Sequence, residues 1–516
     1  MVVRLLQALA TSILLIAIVV SAATAYTPRW DDRTTIGGTP LDYNVDVHAI
    51  GSEVLVAGNV VDHVRKRENA SLAVYDSSGN MLAGAIYSGS GSANLTVNSI
   101  TGWNGIAYLV GVLSGSGWTA AVIFSVNTSN MQVIASNTVN LTDRGYLTAY
   151  YGVCVDSAGN PYAVGVSVDI NQTPPVLEGL IVAYNGSLSV RDAVMYSLSS
   201  QGYNLTFDSC AYSLGYLYVG GVVSKYYGGS SLSLYGIVAK VQPGNLSNTE
   251  ASDSIRLYNS QGYAAASHYP LDLAPSPGGV AAVFTYVDEN PDPANPTLGG
   301  GVIVYDSSLS RLWRWNLSTS YNDYAYSVAV GQSGEVVVAG ATYDDFGSGL
   351  GTSYPHGIVV VLDSTGKVES AVLYGAPDNS SSAFGVAIDS AGYVYTVGYD
   401  NSDQLAYYNV TGEVQSLGLE LPLNPVRATV ERLPYTPAEP VLKPVGLEGI
   451  GGERSVIVAV KHGATVKVTP SGASSALAVG LQEQVSPPPP IPEPGVVVAA
   501  AVSTVAVLLL LRGRLL

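Results

Sequence analysis

An internal repeat limits what this chain can fold into more than any other feature of its sequence. Each copy has an apolar run, a polar turn containing glycine, and an alternating strand that ends in a small residue and glycine. Residues 153–165 read VCVDSAGNPYAVG, and residues 386–398 read VAIDSAGYVYTVG. A repeat of about 53 to 65 residues predicts units that bury their faces against their neighbours.

The glycines that end the alternating strands set the spacing of the copies. A degenerate copy near residues 280–285 occupies the one wide gap between these glycines, so the sequence predicts seven copies. The strand-ending glycines are Gly58, Gly111, Gly165, Gly220, Gly340 and Gly398.

Most copies also contain a second hairpin, which brings each copy to four predicted strands. Asp76-Ser77-Ser78-Gly79 precedes one outer strand, and Asp363-Ser364-Thr365-Gly366 precedes another. In such turns the Asp and Ser side chains bond back to the backbone, and glycine takes a positive φ without steric cost. The first strand of each copy is apolar throughout, which fits burial on both faces. Four strands that cannot cover their own faces predict propeller blades stacked around an axis.

The copies resemble the seven-bladed β-propeller repeats of bacterial and archaeal cell-surface proteins, whose core reads Val-Ala-Val-Asp-Ser-x-Gly-Asn-Val-Tyr-Val-Thr-Gly. Residues 153–165, 328–340 and 386–398 match that core best, and the resemblance covers about residues 42–421. It implies an all-β propeller of four-stranded blades in a surface setting, and it brings no catalytic residues with it. We therefore expect a propeller over residues 26–421.

Two points about the ring stay open in the sequence. Residues 422–475 form either a degenerate eighth blade, with strands near 455–460 and 464–468, or a small β stalk domain, which the six prolines between 422 and 444 favour. Residues 30–35 resemble the outer strand near 315–319, so we expect the N-terminal segment to complete the last blade and close the ring.

The two ends of the chain carry export and anchoring patterns. Arg4, an apolar run and the small residues 23–25 predict a signal peptide over residues 1–25, with an uncleaved N-terminal anchor as the alternative. A proline-rich linker at 476–494 leads into an uncharged stretch at 495–511 that predicts a transmembrane helix, and residues 512–516 form a basic cytoplasmic tail. This end also resembles the Pro-Glu-Pro sorting signals that exosortases and archaeosortases process. The body is therefore expected outside the cell on a single-pass anchor.

The charge balance excludes one class of partner. The chain has 22 Lys plus Arg against 39 Asp plus Glu, a formal net charge of −17, so it lacks the clustered cations that nucleic-acid binding requires. Nucleic acid is therefore not an expected partner. A content of 47% hydrophobic and 12% charged residues also excludes a disordered or coiled-coil protein.

The two cysteines, Cys154 and Cys210, occupy matching places in neighbouring copies, each five residues before a turn glycine. The oxidising exterior favours a disulfide between them, but bridging needs Cα atoms within about 7 Å of each other. A disulfide and two buried free thiols therefore both stay open.

Asn-x-Ser/Thr triplets without an intervening proline occur eleven times, about twice the number expected by chance. Most fall in predicted turns or at strand edges, where a glycan can project into water. We therefore expect N-glycosylation, with accidental triplets in Ser- and Asn-rich loops as the alternative. The asparagines are Asn69, Asn94, Asn127, Asn140, Asn171, Asn185, Asn204, Asn245, Asn316, Asn379 and Asn409.

The sequence has no zinc-protease motif, no Gly-x-Ser-x-Gly elbow and no P-loop, and its five histidines lack metal-ligand spacing. No catalytic residue and no cofactor are therefore predicted. The acidic loop 288–292 and the pair Asp344-Asp345 offer oxygen ligands to Ca²⁺, but they lack the spacing of a calcium loop. Solvated surface loops are the preferred interpretation of both.

Tyrosine, with 35 residues against 5 phenylalanines, has two interpretations. Near strand starts and in loops, its ring can stack on sugars or contact a protein. In strands it simply suits half-buried positions. The candidates for the first role are Tyr150, Tyr151, Tyr226, Tyr227, Tyr324 and Tyr326.

Together these patterns predict a cell-surface-anchored extracellular propeller that acts as a binding, adhesion or envelope-structural protein, with surface glycans or envelope proteins as partners. The main alternative is a secreted, membrane-anchored hydrolase or lyase that uses carboxylates at the channel mouth on polysaccharide or peptide. A solute-binding component beside a transporter is a third hypothesis, on which the sequence is silent.

Overall fold

In the residues that it describes, the computed structural model of the protein consists of β-strands and two short 3-10 turns, Thr142–Arg144 and Ser199–Gln201. Residues Tyr26–Gln482 form one compact unit. The all-β prediction is therefore confirmed. The described residues are 25–34, 43–62, 67–77, 79–89, 93–227, 230–255, 257–258, 264–265, 272–288, 297–317, 319–344, 351–374, 380–401, 443–446, 457–459 and 475–484.

The predicted C-terminal helix and basic tail, and the predicted signal peptide apart from Ala25, lie outside the described residues. Of the predicted linker at 476–494, residues 476–484 belong to the strand Ser475–Gln484, and the rest lies outside the described residues. Within the described stretches, no helix is long and apolar enough to cross a membrane.

After β1 (Ala25–Thr34), six blades follow, each an antiparallel sheet of four consecutive strands. Blade 1 contains β2 (Tyr43–Ile50), β3 (Glu53–Asp62), β4 (Arg67–Asp76) and β5 (Met81–Gly89). Blade 2 contains β6 (Asn94–Trp103), β7 (Ile106–Gly115), β8 (Trp118–Asn127) and β9 (Val133–Val139). Blade 3 contains β10 (Tyr146–Val155), β11 (Pro161–Asp169), β12 (Val176–Tyr184) and β13 (Val190–Ser197).

Blade 4 contains β14 (Asn204–Ser213), β15 (Tyr216–Tyr227), β16 (Ser230–Gln242) and β17 (Asn245–Ile255), and a small hairpin of β18 (Leu257–Tyr258) and β19 (Ala264–Ala265) follows it. Blade 5 contains β20 (Asp272–Ser276), β21 (Gly279–Asp288), β22 (Thr297–Asp306) and β23 (Arg311–Leu317). Blade 6 contains β24 (Asp323–Val330), β25 (Val336–Thr342), β26 (His356–Leu362) and β27 (Val368–Tyr374).

The seventh predicted copy is built differently from the other six. It supplies only β28 (Ser380–Ile388) and β29 (Val394–Asn401) to its sheet. The later β32 (Ser475–Gln484) pairs with β29, and β1 adds to the outer edge of β32. The prediction of seven blades is therefore wrong. Six blades consist of consecutive strands, and the remaining sheet combines strands from distant parts of the chain. The N-terminal segment takes the outermost place, as its resemblance to residues 315–319 predicts.

The described stretches contain no eighth four-stranded sheet. β30 (Lys443–Gly446) pairs with β13 as a fifth strand of blade 3, and β31 (Ile457–Ala459) pairs with β5 as a fifth strand of blade 1. Both strands come from the region for which an eighth blade or a stalk domain is predicted. The rest of that region up to β32 lies outside the described residues.

The inner strands close a ring. The first strand of each sheet contacts the first strand of the next sheet, and β28 contacts both β24 and β2. Apolar side chains fill the interfaces between neighbouring sheets. Tyr162 and Val164 of blade 3 pack with Phe207 of blade 4, and Val56 of blade 1 packs with Val397 of the last sheet. This burial on both faces explains the apolar runs of the inner strands and defines the fold as a β-propeller.

The Asp-Ser turns have the hydrogen bonds that their sequences predict. Asp363 Oδ1 accepts the backbone N–H groups of Thr365 at 2.8 Å and Lys367 at 3.0 Å, and Gly366 has a φ of 85°. Where the glycine is missing, Leu309 takes a φ of 61° in the same turn. The same pair of bonds recurs at Asp156, Asp306 and Asp389.

Buried tyrosines join neighbouring blades. The Tyr87 hydroxyl donates to the carbonyl oxygen of Met131 at 3.0 Å, and the Tyr108 hydroxyl donates to that of Gly159 at 3.2 Å. Each bond reaches from one blade to a turn of the next blade. A phenylalanine would fill the same space without the bond, so the structural interpretation of the tyrosine excess applies at these positions.

Candidate functional site

A β-bulge interrupts the inner strand of most sheets opposite a repeat glycine. In blade 3, Tyr150 pairs with Gly165 and Gly152 pairs with Val164, which leaves Tyr151 unpaired in the ladder. A Cβ on Gly165 would overlap the carbonyl oxygen of Ala149. The same overlap occurs at Gly111, Gly221, Gly340 and Gly398, and in blade 4 it is Gly221 and not the predicted Gly220 that has this role. The repeat glycine is therefore required by the bulge.

The unpaired residues of the bulges lie at one height on six inner strands, and we call them the bulge ring. Every member of the set is half-buried or exposed. The residues that precede them on the strands, such as Val97 and Phe207, are 0% exposed. A bulge re-aims its side chain, and on the innermost strand of a closed ring it directs that side chain at the central channel. The members are Val45, Asn98, Tyr151, Asp208, Tyr326 and Phe384.

One arc of the bulge ring is aromatic. The ring centroids of Tyr326 and Phe384, on neighbouring sheets, lie 5.4 Å apart. Tyr324 extends this arc, because its ring lies 5.7 Å from that of Tyr326 with only 19° between the two planes. These three side chains form an aromatic cluster in which Tyr324 and Tyr326 stack, and these two tyrosines are contact candidates that the sequence marks.

The opposite arc of the bulge ring is polar. Asn98 Nδ2 donates to the carbonyl oxygen of Tyr150 at 2.6 Å, which fixes the amide across two blades. Tyr151 is 37% exposed, and burial together with the nearby charge of Asp208 raises the pKa of its phenol. The Tyr151 hydroxyl therefore stays protonated at neutral pH and can both donate and accept a hydrogen bond.

The residue that follows each bulge, together with Asp272 at the start of β20, belongs to a second ring, which we call the clamp ring. Asp272 Oδ1 accepts the Ser209 hydroxyl at 2.7 Å, and its Oδ2 accepts the Ser327 hydroxyl at 2.9 Å and the Val328 N–H at 3.1 Å. One carboxylate thus joins blades 4, 5 and 6. The members of the clamp ring are Asp46, Ser99, Gly152, Ser209, Asp272, Ser327 and Gly385.

Asp46 makes the equivalent connection between blades 1 and 2. Its Oδ2 accepts the Ser99 hydroxyl at 2.8 Å and the Ile100 N–H at 2.9 Å. Burial, together with the charge of Asp272, raises the pKa of Asp46 to about 7. Burial also raises the pKa of Asp272. The two carboxylates therefore repel each other within the ring when both are ionised.

The hydrogen bonds of the clamp ring decide what its carboxylates can do chemically. Asp272 also accepts the N–H of Leu273 at 2.8 Å, so its two oxygens accept four hydrogen bonds from the protein. A carboxylate offers about four acceptor sites. Asp272 therefore has no oxygen left to take a proton from a substrate, and the arrangement acts as a clamp between blades.

Cys154 and Cys210 are joined by a disulfide, with Cα atoms 5.7 Å apart. The prediction that they occupy matching places is wrong. Cys154 is the third residue after the bulge of β10, whereas Cys210 is the second residue after the bulge of β14. Because side chains alternate along a strand, these residues point in opposite directions and meet between blades 3 and 4. Matching places would point the two sulfurs the same way.

The asparagines of the Asn-x-Ser/Thr triplets differ in exposure. The exposed ones are Asn140, Asn171 and Asn245, and the half-buried ones are Asn94, Asn127, Asn185 and Asn316. The buried ones are Asn69 and Asn204. The remaining two, Asn379 and Asn409, lie outside the described residues. Asn185 takes the place of the turn aspartate, since its Oδ1 accepts the N–H groups of Ser187 at 3.0 Å and Ser189 at 2.9 Å. This bonding uses the oxygen and leaves the amide nitrogen at the surface of the turn.

The calcium candidates cannot be compared with a site, because residues 289–292 and Asp345 lie outside the described residues. Among the described residues, no group of three or more His, Cys, Asp or Glu could hold a metal ion. His48 lies on β2, where burial lowers its pKa to about 4, so it is neutral at physiological pH. Of the six marked tyrosines, Tyr150 is buried with its hydroxyl 2.7 Å from that of Tyr184.

Sequence reasoning missed the clamp ring and most of the bulge ring. The residue type at each of these positions changes from blade to blade, so no single residue type recurs there at the spacing of the repeat. The repeat glycines were the available signal, because a strand glycine often marks a bulge on the partner strand.

The fold and the channel define the class of the protein as a β-propeller. No protein-family model matches the sequence, and the comparison with curated proteins returns no match. Among solved structures, the chain is similar to an α-L-arabinanase of Penicillium chrysogenum in complex with arabinobiose, at 10% identity and a TM-score of 0.38 over 61% of this chain and 92% of that one. It is similar to the β-propeller domain of the Trilobed protease of Pyrococcus furiosus, at 7% identity and a TM-score of 0.39 over 70% and 91%. Drosophila Semaphorin 1a, extracellular domains 1-2, matches at 10% identity and a TM-score of 0.40 over 72% and 86%.

Proposed function

We propose that this protein is a cell-surface-anchored extracellular β-propeller that binds envelope components, and that the bulge ring is its recognition site. The observation that carries the proposal is the contrast between two neighbouring rings. The clamp ring holds its polar groups in bonds between blades, whereas the bulge ring presents half-exposed aromatic and polar side chains to the channel. Half-exposed aromatic and polar side chains that line a channel can contact a partner.

The disulfide supports the extracellular setting. Disulfides persist in oxidising compartments and are rare in a reducing cytosol. The Cys154–Cys210 bridge thus agrees with the signal-peptide pattern and with the C-terminal apolar stretch at 495–511. Both terminal patterns support a propeller outside the cell on a single-pass anchor.

We also propose that surface asparagines carry N-glycans, in particular Asn127, Asn140, Asn171, Asn185 and Asn245. These side chains are exposed or half-buried in turns and strand ends. Asn69 and Asn204 are 8% and 7% exposed, so a glycan there would have to displace packed side chains. They are expected to stay unmodified.

The hydrolase hypothesis requires two carboxylates with free oxygens facing an open pocket. Asp46 and Asp272 come nearest to that description, and the raised pKa of Asp46 would suit a general acid. Their oxygens, however, accept hydrogen bonds from neighbouring blades. We therefore favour a binding protein over an enzyme.

The experiment that tests the proposal is a binding measurement with the full chain purified in detergent. Envelope fractions from the source cells are immobilised, and binding of the wild-type protein is compared with that of a Tyr326→Ala/Phe384→Ala variant. Saturable binding that the variant loses supports the proposal. If the wild-type protein binds no envelope fraction, and deletion of the gene leaves cell attachment and envelope integrity unchanged, the proposal is wrong.

A further inference from the structure

We propose that the outer strand of blade 5, β23, is a docking surface for an extended acidic segment of a partner protein. A carboxylate of that segment pairs with Arg314, and an apolar side chain of it covers Leu312. This surface lies on the outer rim of the ring, so the proposal is independent of the bulge ring on the inner strands. Three properties of β23 carry it: its position at the edge of a sheet, an exposed leucine, and an arginine without a counter-ion.

β23 is the edge strand of its sheet. The sheet has the order β20, β21, β22, β23, so among the described residues no strand pairs with the outer side of β23. On two other blades the same outer place takes a fifth strand, since β30 pairs with β13 and β31 pairs with β5, both antiparallel. The outer edges of this propeller therefore have the geometry to accept an extended segment, which they bind through main-chain hydrogen bonds.

The apolar part of the surface is Leu312. It is the unpaired residue of a bulge in β23, and its side chain is 57% exposed. The outer strands of blades 1 and 2 have the same bulge with an exposed Leu82 and Ile134, but neither of those strands contains a charged residue. β23 combines its exposed leucine with Arg311 and Arg314. A partner of β23 therefore has to match it in charge as well as in apolar contact.

The charged part of the surface is Arg314, which is half-buried. Within the described part of the chain it makes no hydrogen bond and no ion pair, whereas Arg311 on the same strand donates to Asp253 at 2.7 Å. The titratable neighbours of Arg314 are the Tyr286 phenol and Arg311, and burial lowers its pKa. A guanidinium that is partly withdrawn from water without an acceptor costs free energy. A carboxylate from a partner offsets that cost with a charge-assisted hydrogen bond.

The three properties together select the occupant. A free anion would pair with Arg314 but would leave Leu312 and the strand edge uncovered. An extended segment that alternates acidic and apolar residues can meet all three, because successive side chains of a strand point to opposite faces. Charged residues on an edge strand can also prevent pairing when they stand in water in front of the edge. Arg314 is half-buried instead, so we infer that it receives a charge and does not repel a strand.

The test uses the full chain in detergent and three labelled octapeptides of alternating sequence, Glu-Val, Gln-Val and Lys-Val. Fluorescence anisotropy measures their binding. We expect saturable binding of the Glu-Val peptide, about tenfold weaker binding of the Gln-Val peptide, and none of the Lys-Val peptide. Arg314→Gln should abolish the preference for Glu-Val over Gln-Val. Leu312→Ala should weaken the binding of both peptides several-fold and leave their ratio unchanged.

Arg191→Gln is the matched control for charge. It removes the same charge from the outer strand of blade 3, where Arg191 already donates to the Tyr162 hydroxyl at 2.9 Å. The preference for the Glu-Val peptide should therefore survive this substitution. If Arg314→Gln does not fold, salt replaces it, since raising the ionic strength from about 0.05 to about 0.5 M should weaken binding of the Glu-Val peptide far more than that of the Gln-Val peptide.

Three peptide results overturn the proposal: no binding of the Glu-Val peptide, equal binding of the Lys-Val peptide, and Glu-Val binding that neither Arg314→Gln nor Leu312→Ala changes. Sedimentation of the protein alone adds a fourth. A dimer that Arg314→Gln dissociates would make a second copy of this chain the occupant, and it would overturn the assignment to a separate partner. Each of these results leaves the bulge ring untouched, because that site is tested with the Tyr326→Ala/Phe384→Ala variant.

Discussion

A Cβ atom on Gly165 would overlap the carbonyl oxygen of Ala149, which faces it across the inner hairpin of blade 3. The overlap arises because the bulge at Tyr151 folds the inner strand onto its partner. The repeat glycines are thus required by the bulges, because only a residue without a Cβ fits opposite each bulge on the channel wall.

Replacing Gly165 by alanine should therefore lower the free energy of unfolding by about 1–3 kcal/mol or prevent folding, since the backbone must move to admit the methyl group. Gly186→Ala is the control, because a Cβ there meets nothing within 4 Å. Chemical unfolding followed by circular dichroism measures both. Equal stability of the two variants would contradict the bulge explanation.

The disulfide should contribute measurably to stability. The bridge closes a loop with a sequence separation of 56 residues, for which the chain-entropy estimate is about 4 kcal/mol. A reductant should lower the melting temperature of the wild-type protein and leave a Cys154→Ser/Cys210→Ser variant unaffected. A reductant effect of the same size in both proteins would show that the bridge is not responsible.

The interblade tyrosines should depend on their hydroxyl groups. Tyr87 is 0% exposed and donates to Met131, so Tyr87→Phe should destabilise the protein by about 1 kcal/mol through the lost hydrogen bond alone. Tyr354 is 42% exposed, and Tyr354→Phe should be neutral. If the two substitutions have the same effect on chemical unfolding, the tyrosine excess has another cause.

Stability should rise as the pH falls from 8 to 5. Burial raises the pKa of Asp46 and that of Asp323 from 3.8 to about 7 in the folded protein. Between those values the folded protein holds protons that the unfolded chain releases, so acidification favours folding until about pH 4. We expect a gain of at least about 1 kcal/mol in urea unfolding.

Turn aspartates provide the internal comparison for this pH effect. Hydrogen bonds from Ser308 and Ser310 lower the pKa of Asp306 below 3.8, so this group contributes only below about pH 4. Asp306→Asn should therefore leave the change between pH 8 and pH 5 intact. Greater stability at pH 8 than at pH 5 in the wild-type protein would contradict the assignment of raised pKa values.

The turn asparagines allow a clean test of glycosylation. Asn185 makes the same backbone bonds as the aspartates of other blades, so Asn185→Asp should fold normally and lose a glycan. Peptide mass spectrometry of the protein from its source cells should find a glycan at Asn185 and none at Asn69 or Asn204. Unmodified peptides at every exposed triplet would rule the glycans out.

The sequence allowed the blades to be predicted but not the way the last sheet closes. The residues around Asp156 and Asp389 specify the turn, the strand and the repeat glycine directly, because each of these three features has a local steric or hydrogen-bonding cause. The pairing of β32 with β29 and β1 depends on contacts between distant segments. No local pattern encodes such a pairing.

The cysteines show how the register limits a prediction from spacing. Counting from the turn glycines placed Cys154 and Cys210 at matching positions, but the two hairpins differ in length, and the register counted from the bulge differs by one residue. A shift of one residue reverses the side-chain direction and makes the bridge possible.

Protease treatment of intact cells tests the central proposal, a closed propeller displayed outside the membrane, most directly. We predict release of a large fragment that retains the Cys154–Cys210 bridge, while a tag placed after residue 516 stays protected until the cells are lysed. A fragment that appears only after lysis, or one whose two cysteines are free thiols, would contradict the account.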